Sequence, residues 1–487
     1  MKLPGNKLFR WNILLNCILW IVLSLPASLP FLHEYIPILW SMCFLYSIQA
    51  VFALCWLLVS LLALTTYLKI YLNRNVASSG QKYTHLVCMA AYKEPLDLLI
   101  TTIDTLANQT EVQNTVLTVG LEEKTPDKKT KEDKIRALFG STFKKIIVTV
   151  HPFGVEGEIP GKCSNSNYAL RSAEKILNNE GFNTDDILIT NCDADNKFHP
   201  RYLEMLADRF ASTSDPHSAL YQSPLLYNWG LDEQSAVTRV TGIFRASLMM
   251  GALIPFNINT MSVFSFSGKL MKQGNFVHPA YQMDDIICLI RFMGITKKRL
   301  RVVCIPVFNL SGPTSGRVIE EEIIEWARQA RRWTIGAGEV FHYFMVKSTG
   351  IPFFTSLSWG SSFIFYYCIL LCGSSLYGIM LGISSMFLQP LNQPLNPYLY
   401  LLSFAFIGLT YLTNAIFFFI DWKAPLLLDP KPVERICFLR NLFHFLVSPL
   451  VILAYSLVEL YALHELLFLG KDVCKHGASK KQALAIV

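Results

Sequence analysis

The sequence predicts a Rossmann-like α/β domain combined with an α-helical transmembrane domain. Three observations lead there. Only 16% of the 487 residues are charged while 52% are hydrophobic, and a soluble globular chain averages nearer a quarter charged. Apolar runs of the ~20 residues needed to cross ~30 Å of hydrocarbon crowd the two ends of the chain. Between them, from about residue 81 to 333, charges return and short apolar runs alternate with amphipathic stretches, the pattern of strands and helices in turn.

The first unit, residues 1–76, reads as two N-terminal transmembrane helices, over residues 11–31 and 37–72. A cleaved signal peptide is the rival reading of the first, resting on the small-residue segment Ala27-Ser28-Leu29. Lys2, Lys7 and Arg10 precede the first span and Lys69 and Arg74 follow the second, whereas the connection at His33 and Glu34 has no Lys or Arg. The positive-inside rule then places the N-terminus and the domain that follows in the cytosol. Near the other end, runs at 351–388, 397–420 and 442–469 give at least three further spans within a unit at 351–470. The first of these is one tilted helix or a hairpin broken near Gly373. Lys423, Lys431, Arg435 and Arg440 before the last run balance Lys471, Lys475, Lys480 and Lys481 in the basic tail 471–487, so charge leaves the side of the tail open. Twelve cysteines lie scattered in apolar segments without paired CxxC motifs, as reduced, packed thiols do. The net charge of +7 forms no long basic run, and nucleic acid is not an expected partner.

Within residues 81–317 the strands fall in order. HLVCMAAYKE (85–94), TVLTVGLEE (115–123), KKIIVTV (144–150) and DDILITNCDAD (185–195) are short apolar runs ending in polar residues, which suits buried parallel strands. Helical stretches separate them, so right-handed crossovers and a parallel sheet covered on both faces are expected. Ligands bind beyond the carboxyl ends of such strands, and Tyr92, Glu94, Glu122, Asp193 and Asp195 all lie at those ends.

Asp193 and Asp195 alternate along an extended segment, so both carboxylates address one point. Two carboxylates held together need a cation, and hard oxygen ligands suit Mg2+ or Mn2+; such an ion would stabilise a leaving diphosphate. The plain alternative is a polar turn before the helix that Pro200 starts. Lys162, in GKCSNSNYAL (161–170), is placed to meet phosphate or to face solvent as an ordinary lysine. In RQARRW (328–333) Gln329 and Arg332 share a helical face with Trp333 beside them. Arg331 and Arg332 suit phosphate oxygens, or else headgroup level on an interfacial helix within residues 318–350. The stretch YQMDDIICLIRFMG (281–294) sets Asp284 and Asp285 at the head of an apolar helix, where acidic groups meet the positive end of its dipole.

Taken together, these residues resemble the membrane-integrated family 2 glycosyltransferases, which include cellulose, hyaluronan and chitin synthases and ceramide glucosyltransferase. AAYKE, GKCSNSNYAL, CDADN (the DxD motif), YQSPLL, MDDIICLIR (the acid pair) and QARRW (the QxxRW motif) stand in the family's order. The resemblance implies a GT-A, nucleotide-diphospho-sugar transferase fold on the cytosolic face. It implies inverting transfer from a UDP- or GDP-sugar, with UDP favoured, and Mn2+ or Mg2+ at Asp193 and Asp195. Donor contacts would come from Tyr92, Glu94, Glu122, Lys162, Gln329 and Arg332. The acceptor side would be made by Trp333, Asp284 and Gly268 of FSFSGKL (264–270). The family's general base is the second acid of the pair, followed by leucine at four residues and arginine at six; Asp285 meets that spacing with Leu289 and Arg291. One departure concerns the base contact: the family usually has aspartate after the second strand, where VGLEEK offers Glu122 or Glu123.

Several spans after QxxRW suit a processive polysaccharide synthase that elongates and exports a glycan, in the plasma membrane or the Golgi or endoplasmic-reticulum membrane. Tyr366, Tyr367, Tyr377, Tyr400, Tyr411 and Asn414 are its candidate channel residues, with membrane-interface tyrosines the plain alternative. Transfer of one sugar to a membrane lipid needs the same soluble chemistry. A transporter would carry internal repeats, which the sequence lacks, and a non-catalytic scaffold would have lost an acid motif.

Overall fold

The computed structural model describes residues 13–32, 38–74, 78–227, 229, 234–281, 283–312, 316, 318–387, 397–428 and 436–469. Two apolar helices come first, α1 (Ile13–Leu32) and α2 (Ile38–Asn73). Then β1 (His85–Ala90), α3 (Leu96–Ala107), β2 (Thr115–Glu122), α4 (Lys128–Phe139), β3 (Lys145–His151), α5 (Lys162–Asn179) and β4 (Leu188–Cys192) alternate as the sequence pattern predicts. Every residue of β1 and β4 is buried, because helices cover both faces of a parallel sheet. The covering is amphipathic: α3 turns Leu98, Leu99, Ile103 and Leu106 inward, each worth about 1.5–3 kcal/mol of burial.

The second half of the α/β part departs from plain alternation. It runs through β5 (Asn196–Lys197), α6 (Tyr202–Ser212), β6 (Ala219–Gln222), β7 (Leu225–Leu226) and α7 (Ala236–Leu248). It then continues with β8 (Phe264–Ser267), α8 (Gly268–Gln273), α9 (Asp284–Thr296), β9 (Arg301–Cys304) and β10 (Asn309–Ser311). The main sheet has seven strands in the order β3-β2-β1-β4-β8-β6-β9, and β5, β10 and β7 make a small second sheet. The sheet is mixed, not purely parallel: β8 pairs antiparallel with both β4 and β6. This reversal matters below, since it puts the start of β8, and not its end, beside the carboxyl end of β4.

The helical part comprises α10 (Ile319–His342), α11 (Phe353–Ile364), α12 (Ser374–Phe387), α13 (Pro397–Lys423) and α14 (Phe438–His464). Among the described residues four helices are long and apolar enough to cross a membrane: Cys43–Asn73, Phe353–Ile383, Tyr400–Leu427 and Phe438–Phe468. The second resolves one open point, because α11 and α12 join through π-helical turns at Phe365–Gly373 into one continuous helix, with no hairpin at Gly373. Lys2, Lys7, Arg10, His33, Glu34, Lys431, Arg435 and the tail 471–487 lie outside the described residues.

Buried polar contacts fasten the helical part to the α/β part. Arg239 of α7, only 2% exposed, pairs with Asp421 of α13 at 2.7 Å and donates to Asn441 of α14 at 2.9 Å. At the head of α10, Glu322 accepts from the Ser235 amide at 3.0 Å and from its hydroxyl at 2.8 Å. Removing one partner of a buried ion pair costs several kcal/mol, so α7 and α10 are held in register with the spans.

Candidate active site

The parallel strands β1, β2 and β4 end on one edge of the sheet, and that edge gathers the polar residues. Asp193 and Asp195 follow β4, Glu122 closes β2, and Tyr92 and Glu94 follow β1. Lys162 opens α5 and the acid pair opens α9. Reversed β8 brings Thr260 to Ser262, just before its first residue, to the same edge.

At the centre is one ammonium between two carboxylates. Lys162 Nζ lies 2.5 Å from Asp193 Oδ1 and 2.8 Å from Asp284 Oδ1. Burial alone would lower this ammonium, but Asp193, Asp284 and Asp285 together hold it well above its usual value. Asp284 is 1% exposed; its second oxygen accepts from the Asn191 side chain. Burial pushes its carboxyl up while Lys162 pulls it down. With both oxygens engaged, Asp284 anchors Lys162 and is not placed to take a proton from a ligand.

Asp285 is different. It is half-buried, so an acceptor can reach it. Its Oδ1 accepts from the Ile286 amide at 2.9 Å and its Oδ2 from the Ser262 amide at 3.2 Å. Its carboxyl is pushed up from 3.8 to about 6, chiefly by desolvation and then by Asp284, against the pull of Lys162. A carboxylate with that value near neutrality is a competent general base. Turnover that depends on it is expected to fall as the pH drops through about 6, since the protonated acid accepts nothing. A pH profile of kcat/KM checks this, and a profile flat through that region would contradict it.

Asp193 and Asp195 offer hard oxygens, and the backbone at Gly312 packs closely against Asp195. The Gly312 amide donates to the Asp195 carbonyl at 2.8 Å, and a Cβ at Gly312 would come within 2.6 Å of Asp195 Oδ2. Asp195 is 3% exposed, while Asp193 also accepts from the Ser262 hydroxyl. Among the described residues no group of three acidic, His or Cys side chains forms a cage for an ion. Two carboxylates with the rest supplied by phosphate oxygens and water is how Mg2+-type ions are commonly held, so the residues fit.

Arg332 of α10 is within electrostatic reach of both Asp193 and Asp285, and burial lowers its guanidinium from the usual value. Trp333 packs beneath the Arg245 guanidinium, 3.7 Å from the ring centroid. Gln329 is half-buried one turn before Arg332. Arg331 does not join them; its guanidinium is engaged by both oxygens of Glu465, one at 2.7 Å. Of the two arginines, Arg332 is the one that faces the acids, while Arg331 is taken up by Glu465.

On the far side of the edge, Glu94 accepts from the Tyr92 amide at 2.6 Å, which folds the loop after β1. Glu122 is pushed up by burial, with His151 pulling down and Glu94 pushing up. It borders a shallow surface cleft also lined by Glu123, His151, Phe153, Glu158 and Pro160. His151 and Phe153 escaped sequence reasoning because nothing in the run after β3 distinguishes a cleft wall from a loop. Ser262 escaped it because its place depends on the direction of β8.

Gly268 corrects an expectation. It lies one residue past β8, where its amide donates to Ile187 before β4, at the opposite edge of the sheet from Asp193. An acceptor role would require β8 to run parallel. What the glycine allows is close packing, since a Cβ there would come within 1.8 Å of the Thr184 carbonyl. Gly268→Ala is expected to destabilise the fold by about 1–3 kcal/mol without changing acceptor KM in the folded fraction, as thermal melts and kinetics would show.

No family model and no curated protein sequence matches the chain. Among solved structures it is similar to mannosyltransferase PcManGT from Pyrobaculum calidifontis in complex with GDP-Man and Mn2+, at 12% identity and TM-score 0.43, covering 78% of this chain and 98% of that one. It is similar also to TarS 1–349 from S. aureus in complex with UDP-GlcNAc, at 11% identity and TM-score 0.36, covering 77% and 90%. A third is glucosyl-3-phosphoglycerate synthase from Mycobacterium tuberculosis with Mn2+ and UDP, at 13% identity and TM-score 0.31, covering 55% and 81%.

Proposed function

We propose that the chain is a metal-dependent, inverting glycosyltransferase of the GT-A, membrane-integrated family 2 type, its active site at the cytosolic membrane surface. The observation that supports it most is the convergence of Lys162, Asp193, Asp284 and Asp285 on one sheet edge, with Arg332 facing the same acids. A nucleotide-sugar laid along that edge meets a complementary residue at each end. Its base enters the cleft beside Glu122. Its diphosphate meets Lys162 and Arg332, with Gln329 on the same helix face. Mn2+ or Mg2+ at Asp193 and Asp195 would supply positive charge to the departing diphosphate.

Asp285 takes the proton of an acceptor hydroxyl as that oxygen forms its bond to the anomeric carbon. The carbon–oxygen bond to the diphosphate breaks on the opposite face, and the electron pair leaves with the phosphate oxygen. Asp284 keeps Lys162 aimed at that phosphate and so positions it. Trp333, fixed by Arg245, closes the acceptor side. The reading extends to a processive synthase that elongates and exports a glycan, with transfer of a single sugar to a membrane lipid as the competing outcome. Purified protein incubated with labelled UDP- and GDP-sugars plus Mn2+, followed by sizing of the product, tests it. A high-molecular-weight product supports the synthase. A single glycolipid removes it, and no transfer from any donor removes the enzyme reading altogether.

A further inference from the structure

At the end of α9 away from the acid pair, three segments distant in sequence meet at the foot of an apolar helix. Lys297 closes α9 with φ at 59°, in the left-handed region that favours Gly or Asn. Its ammonium donates to the Thr349 carbonyl, in the turn just before α11. Arg299 donates to the Asn257 carbonyl at 2.8 Å. The same guanidinium lies 5.8 Å from the ring centroid of Trp359, in the second turn of α11. Lys298 and Arg301 on either side of it are exposed.

No acid balances these cations. The segments that meet here come from stretches without a single Asp or Glu, residues 234–283, 286–319 and 340–420. Among the described residues no carboxylate forms an ion pair with Lys297, Lys298, Arg299 or Arg301. Beside them the chain exposes large aromatic side chains: Phe354 at 81%, Phe353 at 56% and Phe256, next to Asn257, at 51%. Phe353 and Phe354 touch edge to face at 5.4 Å, and they open the helix Phe353–Ile383 that is long and apolar enough to cross a membrane.

Water alone would leave the two phenylalanine rings unburied, and hydrocarbon alone would leave the cations unpaired. A leaflet rich in phosphate meets both needs. Aromatic rings settle where headgroups give way to acyl chains, and basic side chains beside a span attract anionic lipid. We infer that Lys297, Lys298, Arg299 and Arg301, with Phe353 and Phe354, form a binding surface for anionic phospholipid headgroups. It seats the C-terminal end of α9 on the leaflet that the α/β part faces. This rests on α11 being a membrane span and is independent of the sugar-transfer chemistry.

The test uses the full chain with the photo-crosslinker p-benzoylphenylalanine in place of Phe354. It is assembled in nanodiscs of phosphatidylcholine and phosphatidylserine in equal parts and irradiated, and its lipid adducts are identified by mass spectrometry. Phosphatidylserine adducts are expected to exceed phosphatidylcholine adducts by about fivefold, the effect of one Lys or Arg near an anionic surface. Lys298→Gln combined with Arg301→Gln, both at exposed positions, is expected to bring the two adducts to parity. Arg74→Gln combined with Lys423→Gln removes the same charge beside other spans and is expected to keep the excess. Equal adducts before any basic residue is changed, an excess that survives the first pair, or an equal loss from both pairs would overturn the inference. No lipid adduct at all would overturn the membrane reading of α11 with it. A protein that shows the excess but transfers no sugar loses the enzyme reading and keeps this one.

Discussion

Asp285→Asn is expected to lower sugar transfer by about 10²–10⁴-fold while nucleoside diphosphate and Mn2+ still bind. The geometry separates the two acids. Asp284 is committed to Lys162 and Asn191, whereas Asp285 is held only by backbone amides and stays half-buried. Asp284→Asn is therefore expected to weaken donor binding through Lys162, raising donor KM more than it lowers kcat. If Asp284→Asn abolished turnover and Asp285→Asn left it intact, the roles would be reversed. Stability gives an independent readout. The folded-state value of Asp285 is raised from 3.8 to about 6, so the fold is favoured with the acid protonated. That advantage is lost as the pH rises through about 6. Above that point the ionised carboxylate opposes folding, and Asp285→Asn is expected to melt higher than wild type.

Asp195→Asn is expected to remove most Mn2+ binding and to lower transfer by about 10²-fold or more, the several kcal/mol that a metal supplies to a departing phosphate. Asp195 is buried with Gly312 packed against it, so the substitution changes one carboxylate oxygen and little else. The readout is Mn2+ titration by electron paramagnetic resonance with nucleoside diphosphate present, alongside turnover. Mn2+ binding as tight as in wild type would show that Asp195 is not a ligand. An elution profile like that of wild type separates this from misfolding.

Much of this site is local in sequence and so was legible there. Strand ends carry Tyr92, Glu94, Glu122, Asp193 and Asp195, and helix starts carry Lys162, Asp284 and Asp285. Each position follows from a short stretch of periodicity and its flanking polar residues. What the sequence hid is set by pairing between distant segments. The direction of β8 decides that Ser262 joins the acids and Gly268 does not, yet FSFS reads alike in either direction. Arg331 and Arg332 are neighbours with the same chemistry, and only the packing of α14 against α10 gives Glu465 to the first. Glu459 stands in a run that reads as an ordinary span, and its surroundings come from α10 and the turns between α11 and α12.

The most direct measurement is the proton NMR spectrum of the product formed from an α-linked nucleotide-sugar by the purified protein with Mn2+. In-line displacement with Asp285 as base gives a β-linked product, with one nucleoside diphosphate released for each bond formed. An α-linked product, or no transfer from any UDP- or GDP-sugar, would contradict the account.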